Sequence, residues 1–378
     1  MSFVIGAGLT PFSRDSGADT LTLMSRAAQA ALDDAGLVRA DIDGLVTGYA
    51  TTLPHLMLAT VFAEHFGVKP HYAHAVQLGG ATGAAMVMLA HGLVKAGMAR
   101  NILVVAGENR ASGATRDEAI KTLAQVGHGE MEAPLGATVP GYYALLASRY
   151  MHEFGVAEAD LAALAVLMRA NAACTPGAHR GEPVTEAQVM ASRPIAPPLK
   201  LLDCCPVSDG AAAFVVAAHP GEGPALRIIG CGQAHQHQHI SELADIADTG
   251  AAASAARAFR SAGIGREAIG YAAIYDSFSI TLCMLLEEIG IVPRGQAGAA
   301  ARAGHFTPDG DLPLNTHGGL LGYGHCGVAG AMAHLVEARL QMTGRAGPRQ
   351  GREATFGLFH GDGGVMSSHV SLILERVR

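Results

Sequence analysis

Residues 315 to 327 read Asn-Thr-His-Gly-Gly-Leu-Leu-Gly-Tyr-Gly-His-Cys-Gly, five glycines around four side chains that can move protons or attack carbon: His317, Tyr323, His325 and Cys326. Glycine tolerates positive φ and close backbone approach, so this segment can fold tightly around a reacting group. Imidazole exchanges protons near neutral pH, and a thiolate is a nucleophile. His325, between glycine and cysteine, is one candidate among the four, and the segment alone leaves the choice open. Cys326 is its neighbour, but adjacent residues in a turn rarely point the same way, and it reads as a buried structural thiol. Asn315 and His317 read as turn-shaping groups that bond to backbone.

Other segments carry similar chemistry. Tyr275-Asp276-Ser277-Phe278 follows an apolar run, His360-Gly361-Asp362 lies in another, and Cys204-Cys205 precede a proline turn. His235, His237 and His239 alternate at period two, so their imidazoles can share one strand face. A metal centre there lacks a nearby carboxylate or thiolate, so the trio reads as a polar strand edge and no metal is expected.

The elements that must position these groups form a repeat. Val4-Ile5-Gly6-Ala7-Gly8 is echoed by Ile228-Ile229-Gly230-Cys231-Gly232. AALDDAGLVRADIDGLVTGYA resembles AFRSAGIGREAIGYAAIYDSF, and GGATGAAMVMLAHGLVKAG before NILVVAGEN resembles GHCGVAGAMAHLVEARLQMTG before ATFGLFHGD. Each echo alternates strand and helix signals, which predicts an α/β protein with helix-covered parallel or mixed sheets. The expected organisation is an N-terminal half over 1–222, interrupted by an inserted loop region at 111–200, and a C-terminal half over 223–378. An insert of that length predicts a lid over a site.

With 378 residues, the chain can bury a large core. A formal net charge of −7 and no basic stripe argue against nucleic acid. No apolar run reaches the ~20 residues that span a bilayer. The opening MSFVIGAGLTPFSRDS lacks a signal-peptide pattern, and six scattered cysteines form no framework, so a reduced cytoplasmic compartment is expected.

The duplicated half, the insert, the DGAAA strand, the GGLLGYGHCG loop and the terminal HGDGGVMSSHVSLIL together resemble the thiolase superfamily, in particular its sterol-carrier-protein-type and lipid-transfer thiolase-like branch. The resemblance implies a thiolase fold in a five-layered αβαβα arrangement, a tight homodimer, and an acyl-CoA substrate whose pantetheine arm runs under the inserted region. Coenzyme A enters as part of the substrate, with no separate cofactor. Thiolases place a nucleophilic cysteine in a first-loop Cys-x-Ser-Gly; here the stretch is Gly80-Ala81-Thr82-Gly83. The second loop, Asn-Glu-Ala-Phe or His-Asp-Cys-Phe in typical members, is Tyr275-Asp276-Ser277-Phe278. Gly-His-Pro becomes Gly324-His325-Cys326, and the acid/base Cys-x-Gly becomes His360-Gly361-Asp362.

Both family cysteines are therefore missing, and glycine cannot carry an acyl group. Some thiolase-like proteins without that nucleophile are side-chain aldolases that work with an OB-fold and zinc-ribbon partner. The resemblance thus implies retro-aldol cleavage of a β-hydroxyacyl-CoA without an acyl-enzyme. Tyr275 or Tyr323 is the expected base, His325 the enolate cradle, and the other tyrosine or His360 the acid. Gly80, Asp276, Cys205 and Gly361 are the expected substrate-binding positions. A phenol titrates near pH 10, so a tyrosine base needs a neighbouring cation or donor. Two alternatives remain: an acyltransferase using Cys326 or another thiol, and a silent acyl-CoA-binding subunit.

Overall fold

The computed structural model describes residues 1–136 and 138–377. The first half runs β1 (Ser2–Leu9), α1 (Thr20–Ala35), β2 (Gly44–Gly48), α2 (Leu58–Phe66), β3 (Tyr72–Val76), α3 (Thr82–Lys95) and β4 (Asn101–Asn109). The insert supplies α4 (Arg116–Leu123), α5 (Val139–Phe154), α6 (Glu158–Ala173), α7 (Glu186–Ala191) and a hairpin of β5 (Pro194–Ala196) and β6 (Leu199–Lys200). β7 (Asp209–Ala217) closes the half. The second half runs β8 (Ala225–His235), α8 (Ala251–Ala262), β9 (Ile269–Ile274), α9 (Ser279–Glu288), α10 (Ala297–Arg302), α11 (Gly319–Gly322), α12 (Val328–Met342), β10 (Phe356–Gly363) and β11 (Ser368–Val377).

The repeat read from sequence is visible strand for strand. β2-β4-β7-β1 and β9-β10-β11-β8 have the same order, each with one parallel pair followed by antiparallel ones. β3 extends only the first set. The two sets join because β1 pairs antiparallel with β8 over Ser2–Val4 and Leu226–Ile228, so one nine-stranded sheet runs through both halves.

Side-chain alternation builds the layers. On β4, Ile102, Val104 and Ala106 pack with α3 and α12, while Leu103 and Val105 pack with α1 and α2. On β11, Val370, Leu372 and Leu374 face the same central helices, and Ile373 faces α8 and α9. The strands are therefore apolar on both faces. The two halves of this one sheet lie on either side of α3 and α12, so the order is α1 and α2, first half of the sheet, α3 and α12, second half, α8 and α9: the five layers that the resemblance implies.

The repeated Gly-x-Gly pairs have a steric cause. A Cβ on Gly8 would lie 2.1 Å from the Ala27 carbonyl oxygen of α1, and one on Gly232 would lie 2.0 Å from the Ser254 carbonyl oxygen of α8. Each covering helix rests directly on its first strand. Gly232→Ala is expected to destabilise by about 1–3 kcal/mol through overpacking, read as a lower denaturation midpoint. Gly92→Ala, on the exposed face of α3 with nothing within 4 Å of the added carbon, is expected to stabilise by about 0.5–1 kcal/mol.

Candidate active site

The carboxyl ends of the parallel strands converge under the insert, where α/β sheets commonly bind ligands. The residue directly after β2 is Tyr49, after β4 Arg110, and after β9 Tyr275; all three line one cavity with His325, Cys205 and Gly80. The insert covers it with Leu123, Val126, Val139, Pro140 and Tyr143.

Each group is held by backbone. The Tyr275 N–H donates to the His360 carbonyl at 3.0 Å, continuing the β9–β10 ladder. Asn315 pins the glycine-rich segment to the end of β9: its amide donates to the Ile274 carbonyl at 2.7 Å and its carbonyl accepts from the Ile274 N–H at 2.8 Å. The His325 N–H donates to the Pro206 carbonyl, and its own carbonyl accepts from Ser208. Arg110 is placed by Asp209, the aspartate of the DGAAA strand, which accepts from the Ala111 and Ser112 N–H groups at 2.8 and 3.0 Å.

At the floor, a Cβ on Gly80 would lie 2.4 Å from the Tyr275 hydroxyl oxygen and 2.6 Å from its ring. The phenol fills the space that a side chain at position 80 would occupy. The Tyr275 hydroxyl lies 3.1 Å from His325 Nε2, with ring planes at 89°. Burial pushes the phenol well above its usual range, Asp362 and Cys205 add to this, and Arg110 opposes it. Burial, then Arg110 and His334, push His325 down to about 3. At neutral pH the pair is a neutral phenol and a neutral imidazole in hydrogen-bond contact. His325 Nδ1 has no hydrogen-bond partner among the described residues.

The thiols are not poised to attack. Burial raises Cys204 to about 12 and Cys205 further still, and both line the cavity. Cys326 is fully buried and outside the cavity wall, its thiol also pushed well up.

Four expected site residues lie elsewhere. Tyr323 packs edge-on against Phe12 at 4.8 Å, and its hydroxyl donates to the Thr10 carbonyl, so it is not positioned as the base. His360 follows Phe359 on β10; Phe359 faces the central helices, so alternation turns His360 to the outer layer, where it meets Ser371 and His369. Asp276 is buried and accepts from the Leu320 and Leu321 N–H groups and His334 Nε2, bracing α11 rather than binding substrate. Gly361 packs on the start of α3, where a Cβ would lie 3.2 Å from Ala81 Cα. Tyr275, His325, Gly80 and Cys205 are brought together.

Arg110, Tyr49, Tyr143 and Asp362 were not among the expected site residues. Arg110 lines the cavity and forms no ion pair among the described residues. Its signal was its place right after an apolar strand. The histidine trio disperses: His235 meets Ser368, His237 the Val365 carbonyl, and His239 the ring of His128.

The thiolase N-terminal domain family matches residues 2–186, and the thiolase C-terminal domain-like family matches residues 232–376. The chain belongs to the thiolase superfamily. It is 34% identical to a steroid side-chain-cleaving aldolase of Thermomonospora curvata, over 87% of this chain and 88% of that one. It is 31% identical to an acetyl-CoA acetyltransferase of Methanothermobacter thermautotrophicus, over 97% and 98%. Among solved structures, the Ltp2-ChsH2(DUF35) aldolase superposes with a TM-score of 0.85 at 32% identity, over 99% of this chain and 97% of that one.

The raised thiols give a direct expectation. Iodoacetamide at about pH 8 should label exposed Cys174 and leave Cys205 and Cys326 unmodified, read by peptide mass spectrometry. Rapid labelling of Cys205 would show a thiolate in the cavity.

Proposed function

We propose that the chain is an acyl-CoA lyase that cleaves a β-hydroxyacyl-CoA by retro-aldol chemistry, without a covalent acyl-enzyme. The observation that carries this reading is the Tyr275 phenol in the space of a residue-80 side chain, hydrogen-bonded to His325. The β-hydroxyl of the substrate gives its proton to the Tyr275 oxygen as the Tyr275 proton passes to His325 Nε2. The Cα–Cβ bond breaks, the β-carbon leaves as a ketone or aldehyde, and its electron pair forms the thioester enolate. Arg110 is the cation beside that negative charge, and such preorganised charge is worth most in a cavity shielded from water. The names of the aldolase relatives support the reaction class. The acetyltransferase alternative needs a thiolate, and the thiols at the cavity are raised. Acetyl-CoA or acetoacetyl-CoA should therefore leave the intact mass unchanged; an acetyl adduct on any cysteine would replace this reading with an acyltransferase.

Tyr275→Phe keeps the ring and loses one hydroxyl. Its stability cost should be about 1 kcal/mol, whereas loss of a proton-transfer group should cost about 10²–10⁴-fold in cleavage rate. His325→Ala should also impair cleavage. Wild-type turnover by Tyr275→Phe would make the phenol a packing group and end the proposal. The low His325 value also sets the pH profile. The imidazole is neutral and able to accept above about pH 3, so kcat/KM should show no histidine-type fall on going from about pH 8 to 5.5. An acid limb near pH 6.5 would contradict the neutral pair.

The same reading takes a homodimer as the working unit, aided in the cytoplasm by an OB-fold and zinc-ribbon partner. β3 supports the dimer: it is one of the two outer edges of the sheet, with residues half-buried or exposed, and Leu56 and Met57 in the segment between β2 and α2 are exposed. The joined name of the Ltp2-ChsH2(DUF35) aldolase supports the hetero-partner. No helix among the described residues is long and apolar enough to cross a membrane. Light scattering at micromolar concentration should give twice 38.7 kDa; the monomer mass would remove the dimer. Full turnover by the isolated chain would remove the partner requirement.

A further inference from the structure

Cleavage leaves an enolate that must gain a proton at its α-carbon, and the Tyr275–His325 pair has just taken one. A second acid on the cavity wall can supply it without the pair returning its proton across the cleaved bond. The cavity wall holds a second buried phenol, Tyr143 of α5 in the insert, whose ring stacks on Phe278 at 4.4 Å. Its hydroxyl lies 3.1 Å from Asp362 Oδ2 and 3.3 Å from the Gly364 carbonyl. Asp362 sits near the end of β10, 1% exposed, and its Oδ1 has no hydrogen-bond partner among the described residues. The nearest cationic candidate is His369, 3.9 Å away and itself lowered to about 3 by burial. A carboxylate buried without a cation is costly, and the protonated acid is the stable form. Burial pushes Asp362 well above the usual carboxyl range and the Glu288 charge adds to this, against the opposing hydrogen bonds from Tyr143 and the Gly363 and Met366 backbone. The Asp362 backbone oxygen and the Tyr275 hydroxyl both close on Gly80, each 2.4 Å from a Cβ placed there, and Tyr143 and Tyr275 line the same cavity.

We propose that Tyr143, backed by Asp362, is the acid that protonates the α-carbon of the thioester enolate. This rests on the retro-aldol reading above. The Tyr143 O–H proton passes to Cα, the enolate electron pair forming the C–H bond. The Asp362 carboxyl proton passes to the Tyr143 oxygen, and Asp362 is left as the carboxylate. The proton taken from the β-hydroxyl is then on His325. After product release His325 returns one proton to solvent and Asp362 takes one up, so the cycle is redox-neutral and closed. In this proposal Tyr143, on the cavity wall, acts on the substrate itself as the catalytic residue, and Asp362 acts through it as a positioning residue. The neutral acid is the form able to donate.

The test is exchange of the α-protons of propionyl-CoA in D2O, followed by NMR on the full-length chain. The reverse of the protonation step suffices for it, and no ketone is needed. Wild type should exchange. Tyr143→Phe should exchange about 10²-fold or more slowly, with KM for the CoA ester nearly unchanged. Asp362→Asn keeps a hydrogen-bonding partner for Tyr143 but holds no titratable proton, and it should also slow exchange without weakening ester binding. Tyr275→Phe, which loses cleavage, should still exchange. Exchange by Tyr143→Phe at the wild-type rate overturns the proposal and leaves the lyase reading standing, as does cleavage by wild type without any exchange. Thermal melting shows whether Asp362→Asn is folded; if it is not, Tyr143→Phe alone decides.

Discussion

Residues 80 and 275 compete for one volume. A side chain at 80 and a phenol at 275 cannot coexist, because their atoms would meet at 2.4 Å. In this chain the phenol holds the space, and the chemistry of the cavity follows from that exclusion. His325 faces an O–H instead of a thiol. The pair sits in a buried, weakly polarisable pocket, which keeps both partners neutral until a substrate hydroxyl joins them. A neutral relay suits a reaction in which the proton moves and no bond to the enzyme forms.

The scaffold delivers this arrangement through buried polar posts. Asn315 supplies both bonds of a strand partner to Ile274, Asp276 gathers the N–H groups of α11 with His334, and Asp209 gathers those after Arg110. The Asn315, Asp276 and Asp209 side chains are each satisfied locally, so they fix loops and are unavailable to substrate. That is why Asp276, which looks chemical in sequence, proves structural.

Much of the fold was legible in the sequence because the repeat is written in packing residues. Gly8 and Gly232 are required by helix contact, and the apolar runs of β4 and β10 by burial on both faces. The site was legible only where strand ends fix direction: Tyr275 continues a ladder, and His325 is locked to Pro206. Tyr323 and His360 have the right residue types in the right loops. Yet its place next to inward-facing Phe359 on β10 turns His360 outward, and the short helix α11 precedes Tyr323, which packs against Phe12. Tyr143 and Asp362 meet across 219 residues of chain, a pairing no local pattern announces.

The insert ties substrate choice to chemistry. Leu123, Val126, Val139 and Pro140 form an apolar wall against which an acyl group can pack, and Tyr143 is one helical turn beyond Val139 on the same helix. Residues four apart on a helix share a face, so Val139 and the Tyr143 ring present one continuous stretch of wall. Phe278 holds that ring from the other side, and it belongs to the segment that carries Tyr275. The Tyr143 ring thus rests on the segment that carries Tyr275. A bulkier acyl group that displaces α5 would separate acid from base, so tolerance for the acyl group is limited by the spacing of the proton-transfer groups as well as by free volume.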